Sequence, residues 1–199
     1  MKIKKIAVFL ILFSITFAFS SCSGAGKVQE ASSFAMGSVV SVKTYSNNSK
    51  AGQSVCDEIT AEISRFDKVI SKNDKAAELY SANQSLSSGV TVSRELFDVV
   101  ENTKELFSLS AKKVAVTSGA LTELWGFDTD NFNVPSDEEI KSAIPLCDDS
   151  TLELDRSTLT LKAKQGQILN LGAVGKGAAC DKAVDLLLSH EEIKGAIVS

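Results

Sequence analysis

The 199-residue sequence is poor in the residues that announce the commonest metal and redox chemistries. It holds one histidine, one tryptophan, two prolines and four cysteines. A lone His190 excludes a histidine-clustered metal site, and Cys22, Cys56, Cys147 and Cys180 stand far apart, in no zinc-ligand spacing. Once Cys22 is set aside, three cysteines remain, so at least one lacks an intrachain partner. Buried free thiols are therefore expected in place of a disulfide framework. Basic residues are not in excess either: 21 Lys and Arg face 25 Asp and Glu, a formal net charge of −4. No basic patch stands out, which argues against a nucleic-acid partner. Also missing is the run of roughly 20 apolar residues that a membrane-crossing helix needs.

What is present begins at the N-terminus. Lys2, Lys4 and Lys5 precede an apolar stretch from Ile6 to Phe19, broken only by Ser14 and Thr16, and small Ser20 and Ser21 follow. This order of charge, apolar run and small residues predicts a cleaved signal peptide over 1–21. Phe19-Ser20-Ser21-Cys22 is similar to a bacterial lipobox, which would make Cys22 the lipidated first residue of the mature chain. Export with a lipid anchor facing the extracytoplasmic side is the expected location. The signal takes three of the 21 basic residues and none of the 25 acidic ones, leaving the remainder at −7. Small and polar residues 22–33 predict a flexible tether. The remainder, 34–199, is long enough for one domain.

Within that domain, Val39 to Tyr45 alternates with period two and predicts a strand, ended by turn chemistry at Asn47-Asn48-Ser49. Val55, Ile59, Ile63, Phe66 and Ile70 draw one apolar stripe on a helix from about Gln53 to Ile70. Residues 71–89 are mostly polar. Ser93 is the predicted N-cap of a second amphipathic helix carrying Leu96, Phe97, Val100, Thr103, Leu106 and Phe107. Ser136 and Glu139 are spaced as a capping box opening a short helix to about Ile144. Asp137, Glu138 and Glu139 read as its solvated first turn. A β-hairpin is predicted around Asp155-Arg156-Ser157, then a strand over Ile168–Leu171, a helix with Ala179, Ala183, Leu186 and Leu187 inward, and a strand from Gly195. His190 is expected to support the end of that helix.

Three segments could carry chemistry. Asn170-Leu171-Gly172-Ala173-Val174-Gly175-Lys176-Gly177 places a glycine-rich turn before a helix, where unpaired amides and the positive dipole end favour an anion. Its spacing is neither a Walker A loop nor a Rossmann fingerprint, and a tight packing turn explains it equally well. Leu121-Thr122-Glu123-Leu124-Trp125-Gly126-Phe127 holds the sole tryptophan, either a core anchor or a platform for a flat ring. Phe34-Ala35-Met36-Gly37-Ser38 alone reads as a loop.

Together these segments resemble the FAD:protein FMN transferase (ApbE) family in order and spacing. Ile70-Ser71-Lys72-Asn73-Asp74 and Glu78-Leu79-Tyr80-Ser81-Ala82-Asn83 are similar to that family's segment after its first helix. The likeness runs from about Phe34 to Ser199. It implies an α+β fold, a mixed or antiparallel sheet with packed helices (ApbE/T-fold-like). It implies an enzyme that binds FAD as substrate and, with Mg²⁺, transfers the FMN half to a Thr or Ser of an acceptor protein. By the same resemblance Met36, Asn73, Lys113, Val114, Ala115, Asn170 and Lys176 fall on cofactor contacts, and Ala173 on a backbone carbonyl ligand to the metal.

Departures accompany the likeness. The family's usual Asp is Ala115 here, another is Asn170, and a usual Pro is Ala120. The family's remaining metal ligands, an Asp and a Thr, lie in a later segment that nothing here matches. The fold is therefore expected to be incomplete at the C-terminal side, with weak FAD binding and no transfer by these residues alone. Two rival readings stand beside the enzyme: a non-catalytic flavin-binding lipoprotein, and a covalent flavin acceptor at Thr117-Ser118-Gly119-Ala120-Leu121. The second lacks the acceptor motif's Asp and has Leu121 in place of a hydroxyl residue.

Overall fold

The computed structural model describes residues 26–127 and 132–199. The predicted signal and Cys22 lie outside them. Strands β1 (Lys27–Ala35) and β2 (Ser38–Ser46) form an antiparallel hairpin, registered from Lys27 opposite Ser46 to Ala35 opposite Ser38. This corrects the tether expected over 22–33: residues 27–33 are strand. The reason is physical. Gln29, Ala31, Ser33 and Ala35 point inward and Val28, Glu30, Ser32 and Phe34 outward. Small inward side chains let β1 lie close to a helix, and smallness reads in sequence as a linker.

That helix, α1 (Ser49–Ile70), starts four residues before the stripe suggests because the Asn48 side chain accepts the amides of Lys50 and Ala51. Its inward face, Val55, Ile59, Ile63 and Phe66, packs on Val42 and is nearly inaccessible to solvent. A short helix α2 (Glu78–Ser85) follows, which the sequence conceals: Ala77 supplies no side-chain cap, and only Leu79 and Ala82 are buried. A two-residue strand β3 (Val90–Thr91) leads to α3 (Arg94–Leu109), capped by Ser93 as predicted. The Ser93 hydroxyl accepts the Leu96 amide and donates to Glu78, so one residue fastens α2 to α3.

After α4 (Gly119–Trp125) comes α5 (Asp137–Ala143), with both halves of the Ser136–Glu139 capping box formed. Strands β4 (Glu153–Asp155) and β5 (Thr160–Lys162) make the predicted hairpin, and β5 also pairs with β3. Helix α6 (Gly175–Leu188) then packs on α1, burying Ala179 and Ala183, and β6 (Ile193–Val198) returns beside β2, Val42 opposite Val198. The two sheets, ordered β1-β2-β6 and β3-β5-β4, are antiparallel throughout, and the fold is α+β.

Other expectations need correction. Ile168–Leu171 forms no strand; among the described residues its ladder is a single parallel bridge between Ser118 and Ile168. Its hydrogen bonds go to a loop and to an asparagine side chain, partners no strand pattern encodes. His190 lies beyond the end of α6 and sits between Glu58 of α1 (3.1 Å) and Glu192 (3.4 Å). Cys56, Cys147 and Cys180 are all free, yet only Cys56 is fully buried.

Candidate functional site

Three chain segments converge on one cavity of about 350 Å³: the β1–β2 turn, the end of α1 with residues 71–73, and the glycine turn opening α6. Met36, Asp67, Lys72, Asn73, Asn170 and Lys176 supply its functional side chains. That volume sits at the low end of ligand pockets, roughly 300–1,000 Å³. It has room for part of a dinucleotide.

The glycine turn is shaped by Asn170. Its Oδ1 accepts the Gly172 amide at 2.9 Å, and its Nδ2 donates to the Thr122 hydroxyl at 3.1 Å. The Asn170 amide donates to the Val116 carbonyl at 2.7 Å. Helix α6 then begins on Val174 with no side-chain cap; the Gly175 amide donates to the Leu171 carbonyl at 2.7 Å, which leaves the amides of Lys176 and Gly177 as the first-turn donors suited to a ligand. Gly175 is small for packing rather than for conformation: a Cβ there would stand 2.6 Å from Ile70 Cδ1. Lys176 lies on that exposed first turn. Lys72, whose side chain is only 7% exposed, pairs with Glu123 of α4 at 3.5 Å. With Lys72 paired to Glu123, Lys176 and the helix N-terminus are what set the glycine-turn side of the cavity against the carboxylate of Asp67, and that side favours an anion.

Of the residues that the sequence pointed to, Met36, Asn73, Asn170 and Lys176 meet in this cavity. Lys113, Val114 and Ala115 lie on the loop between α3 and α4 and do not line it; they adjoin Val116, whose carbonyl holds Asn170. Ala173 faces a separate groove between α3 and α6, with Val99, Asn102 and Leu106. Trp125 does not line the cavity. Its ring stacks parallel to that of Phe127, centroids 5.6 Å apart at 8°. Its helix still reaches the site through Thr122 and Glu123.

Sequence reasoning missed three supporting residues. Asn83 of α2 grips the Leu169 backbone from both sides, Nδ2 donating to its carbonyl (3.0 Å) and Oδ1 accepting its amide (2.8 Å). Asp149, fully buried, accepts the Val116 amide, the Thr117 amide and the Thr117 hydroxyl. Asp67 accepts the Met36 amide at 2.9 Å. Each acts over 31 residues or more of sequence, so no local pattern marks it. Thr117 is itself buried with its hydroxyl engaged, whereas Ser118, the hydroxyl that the acceptor reading requires, is half-buried at the start of α4.

Among the described residues, no group of three or more His, Cys, Asp or Glu could hold a metal ion. A loop carbonyl at Ala173 is one oxygen ligand, far short of the octahedral set Mg²⁺ demands. The described residues alone do not complete a site for the metal.

Comparison with known proteins places the chain in a family. The chain is 29% identical over 191 residues to the FAD:protein FMN transferase of Treponema pallidum (strain Nichols), covering 90% of this chain and 52% of that protein. It is 25% identical over 173 residues to the enzyme of the same name from Klebsiella pneumoniae (strain 342), covering 86% and 54%. Its fold is similar to the crystal structure of the ApbE protein from Thermotoga maritima, with TM-score 0.78 and 26% identity over 86% of this chain and 57% of that one. The flavin transferase ApbE from Vibrio cholerae is also similar, with TM-score 0.75 and 25% identity over 87% and 57%. The chain spans about half the length of the curated relatives it matches. The ApbE family profile matches residues 36–199, and the chain belongs to the ApbE family.

Proposed function

We propose that the chain carries the FAD-holding part of an FAD:protein FMN transferase. In that reaction an acceptor Thr or Ser oxygen attacks the phosphorus on the FMN side of FAD. The bridging P–O bond breaks, AMP leaves with the electron pair, and the hydroxyl proton is released to water. The observation carrying this reading is the meeting of Met36, Asn73, Asn170 and Lys176 in one cavity at an uncapped helix start. The Lys176 ammonium and the amides of Lys176 and Gly177 are suited to the diphosphate, and Asn170 shapes the turn that leads to them. Lys113, Val114 and Ala115 contribute backbone to the dinucleotide where it extends beyond this cavity. Mg²⁺ dependence belongs to the same proposal: the Ala173 carbonyl would supply one oxygen ligand, and the others would have to come from outside the described residues.

A second reading, a flavin-binding lipoprotein without transferase activity, is favoured by Ala115, Asn170 and the lack of a metal-holding cluster among the described residues. One experiment separates the two. The chain, extended to the length of its relatives, is mixed with FAD, Mg²⁺ and a protein bearing an accessible acceptor Thr, and flavin fluorescence is read on a denaturing gel. A labelled acceptor supports the transferase; FAD binding with no label leaves the binding role alone; neither result together with no FAD binding refutes both.

Export and lipid attachment through Cys22 complete the proposal. Cys22→Ser is expected to move the protein from the membrane fraction to the soluble extracytoplasmic fraction, and unchanged membrane association would refute the anchor.

A further inference from the structure

The turn joining β1 to β2 has only two central residues, Met36 and Gly37, and both have positive φ, 53° and 69°. Such turns match the twist of a hairpin and are dominated by Asn, Asp and Gly. Gly37 suits its place. Met36 does not, because a side chain with a Cβ is strained in the left-handed region. Strain of this kind persists only where surrounding structure enforces it, and it clusters at functional sites. Here the enforcing group is visible: Asp67 Oδ2, one turn from the end of α1, accepts the Met36 amide at 2.9 Å.

A second oddity concerns Asp67 itself. It lines a cavity whose other charged groups, Lys72 and Lys176, are cationic. A carboxylate there opposes the binding of a phosphate-bearing ligand. Its presence calls for a compensating service, and among the described residues the Met36 amide is the donor that meets the carboxylate. Met36 is partly buried against the core while lining the same cavity. We propose that Asp67 is a positioning residue: its carboxylate holds Met36 in the strained turn conformation that sets the methionine against the flavin dinucleotide. This rests on the FAD reading above.

The test compares Asp67→Ala, Asp67→Asn and Met36→Asn in the full chain. Amide exchange at residue 36 and thermal midpoint are read without flavin; FAD affinity is read by titration. Asp67→Ala is expected to expose the Met36 amide, speeding its exchange, and to weaken FAD binding by about tenfold. Asp67→Asn keeps an oxygen acceptor and loses the opposing charge, so FAD affinity within about twofold of the parent, or tighter, is expected. Met36→Asn, a residue that tolerates positive φ, is expected to raise the thermal midpoint while weakening FAD binding. That opposition of sign is something a purely structural Asp67–Met36 contact would not give. Unchanged exchange in Asp67→Ala, unchanged FAD affinity in it, or a Met36→Asn midpoint at or below the parent each overturns the proposal. Should Asp67→Ala fail to fold, Met36→Asn and Asp67→Asn decide. Failure of the parent chain to bind FAD would refute the FAD reading, while residue-36 exchange still judges the contact.

Discussion

Asp149 and Thr117, 32 residues apart, are joined twice: Oδ1 of the buried carboxylate accepts the Thr117 amide at 2.9 Å and its hydroxyl at 2.6 Å. The other oxygen takes the Val116 amide at 2.7 Å. The α3–α4 loop thus gets from one side chain the hydrogen bonds that a neighbouring strand would otherwise supply. Burying a carboxylate is tolerable only with this many donors. Val116 in turn offers its carbonyl to Asn170, so the same contact supports the glycine turn. Asp149→Ala leaves three buried donors without an acceptor and is expected to cost about 3 kcal/mol in urea denaturation, whereas Thr117→Val removes one donor and costs about 1 kcal/mol. A loss below that of Thr117→Val would show the loop to be held by something else.

Glycines of similar appearance are expected to behave oppositely. A Cβ on Gly119 would stand 2.5 Å from the Ile168 carbonyl oxygen and 2.7 Å from the Ile168 Cβ, atoms that cannot yield without moving backbone. Gly177, in the first turn of α6, has nothing within 4 Å. Gly119→Ala is expected to destabilise by about 1–3 kcal/mol through overpacking. Gly177→Ala should be neutral or stabilising by up to ~1 kcal/mol, since alanine restricts the unfolded chain. Thermal melts of the two variants check the contrast, and equal shifts would contradict it.

An ion network spans three helices: Arg65 of α1 meets Glu62 (2.6 Å) and Glu95 of α3 (2.7 Å), while Lys182 of α6 joins Glu95 and lies 4.8 Å from the centre of the Phe66 ring. Hydrogen bonding from Arg65 is the main cause holding both carboxyl groups below the usual glutamate range, against a smaller opposing effect of burial. Groups with depressed folded values contribute stability above the ordinary glutamate pKa, about 4.3, and lose it as pH falls through their folded values. Glu95→Gln should therefore lower stability near neutral pH by about 1 kcal/mol, and the gap to the parent should shrink below about pH 4. A gap that stays constant with pH would assign the loss to packing.

Much of the architecture is legible in the residues. The α1 and α3 stripes, the Ser93 cap, the Ser136–Glu139 box and the β4–β5 hairpin are all local patterns, and each forms where its pattern lies, except that Leu106 of the α3 stripe is exposed. What escapes is whatever depends on a distant partner. Strand β1 hides because its inward residues are small, and α2 because it lacks a cap. Ile168–Leu171 reads as a strand because its alternation is right, but its partners are Asn83, Val116 and Gly119. The site divides in the same way. Gly172–Gly177 announces itself as a turn before a helix, whereas Asp67 and Asp149 look like any surface acid until the chain is folded.

The most direct test sets FAD against riboflavin, which lacks the diphosphate, in calorimetric titrations of the parent and Lys176→Ala. If the α6 start and Lys176 hold the diphosphate, FAD binds the parent at least about tenfold more tightly than riboflavin, and Lys176→Ala removes most of that advantage. Equal affinity for the two ligands, or an FAD affinity indifferent to Lys176, would contradict it.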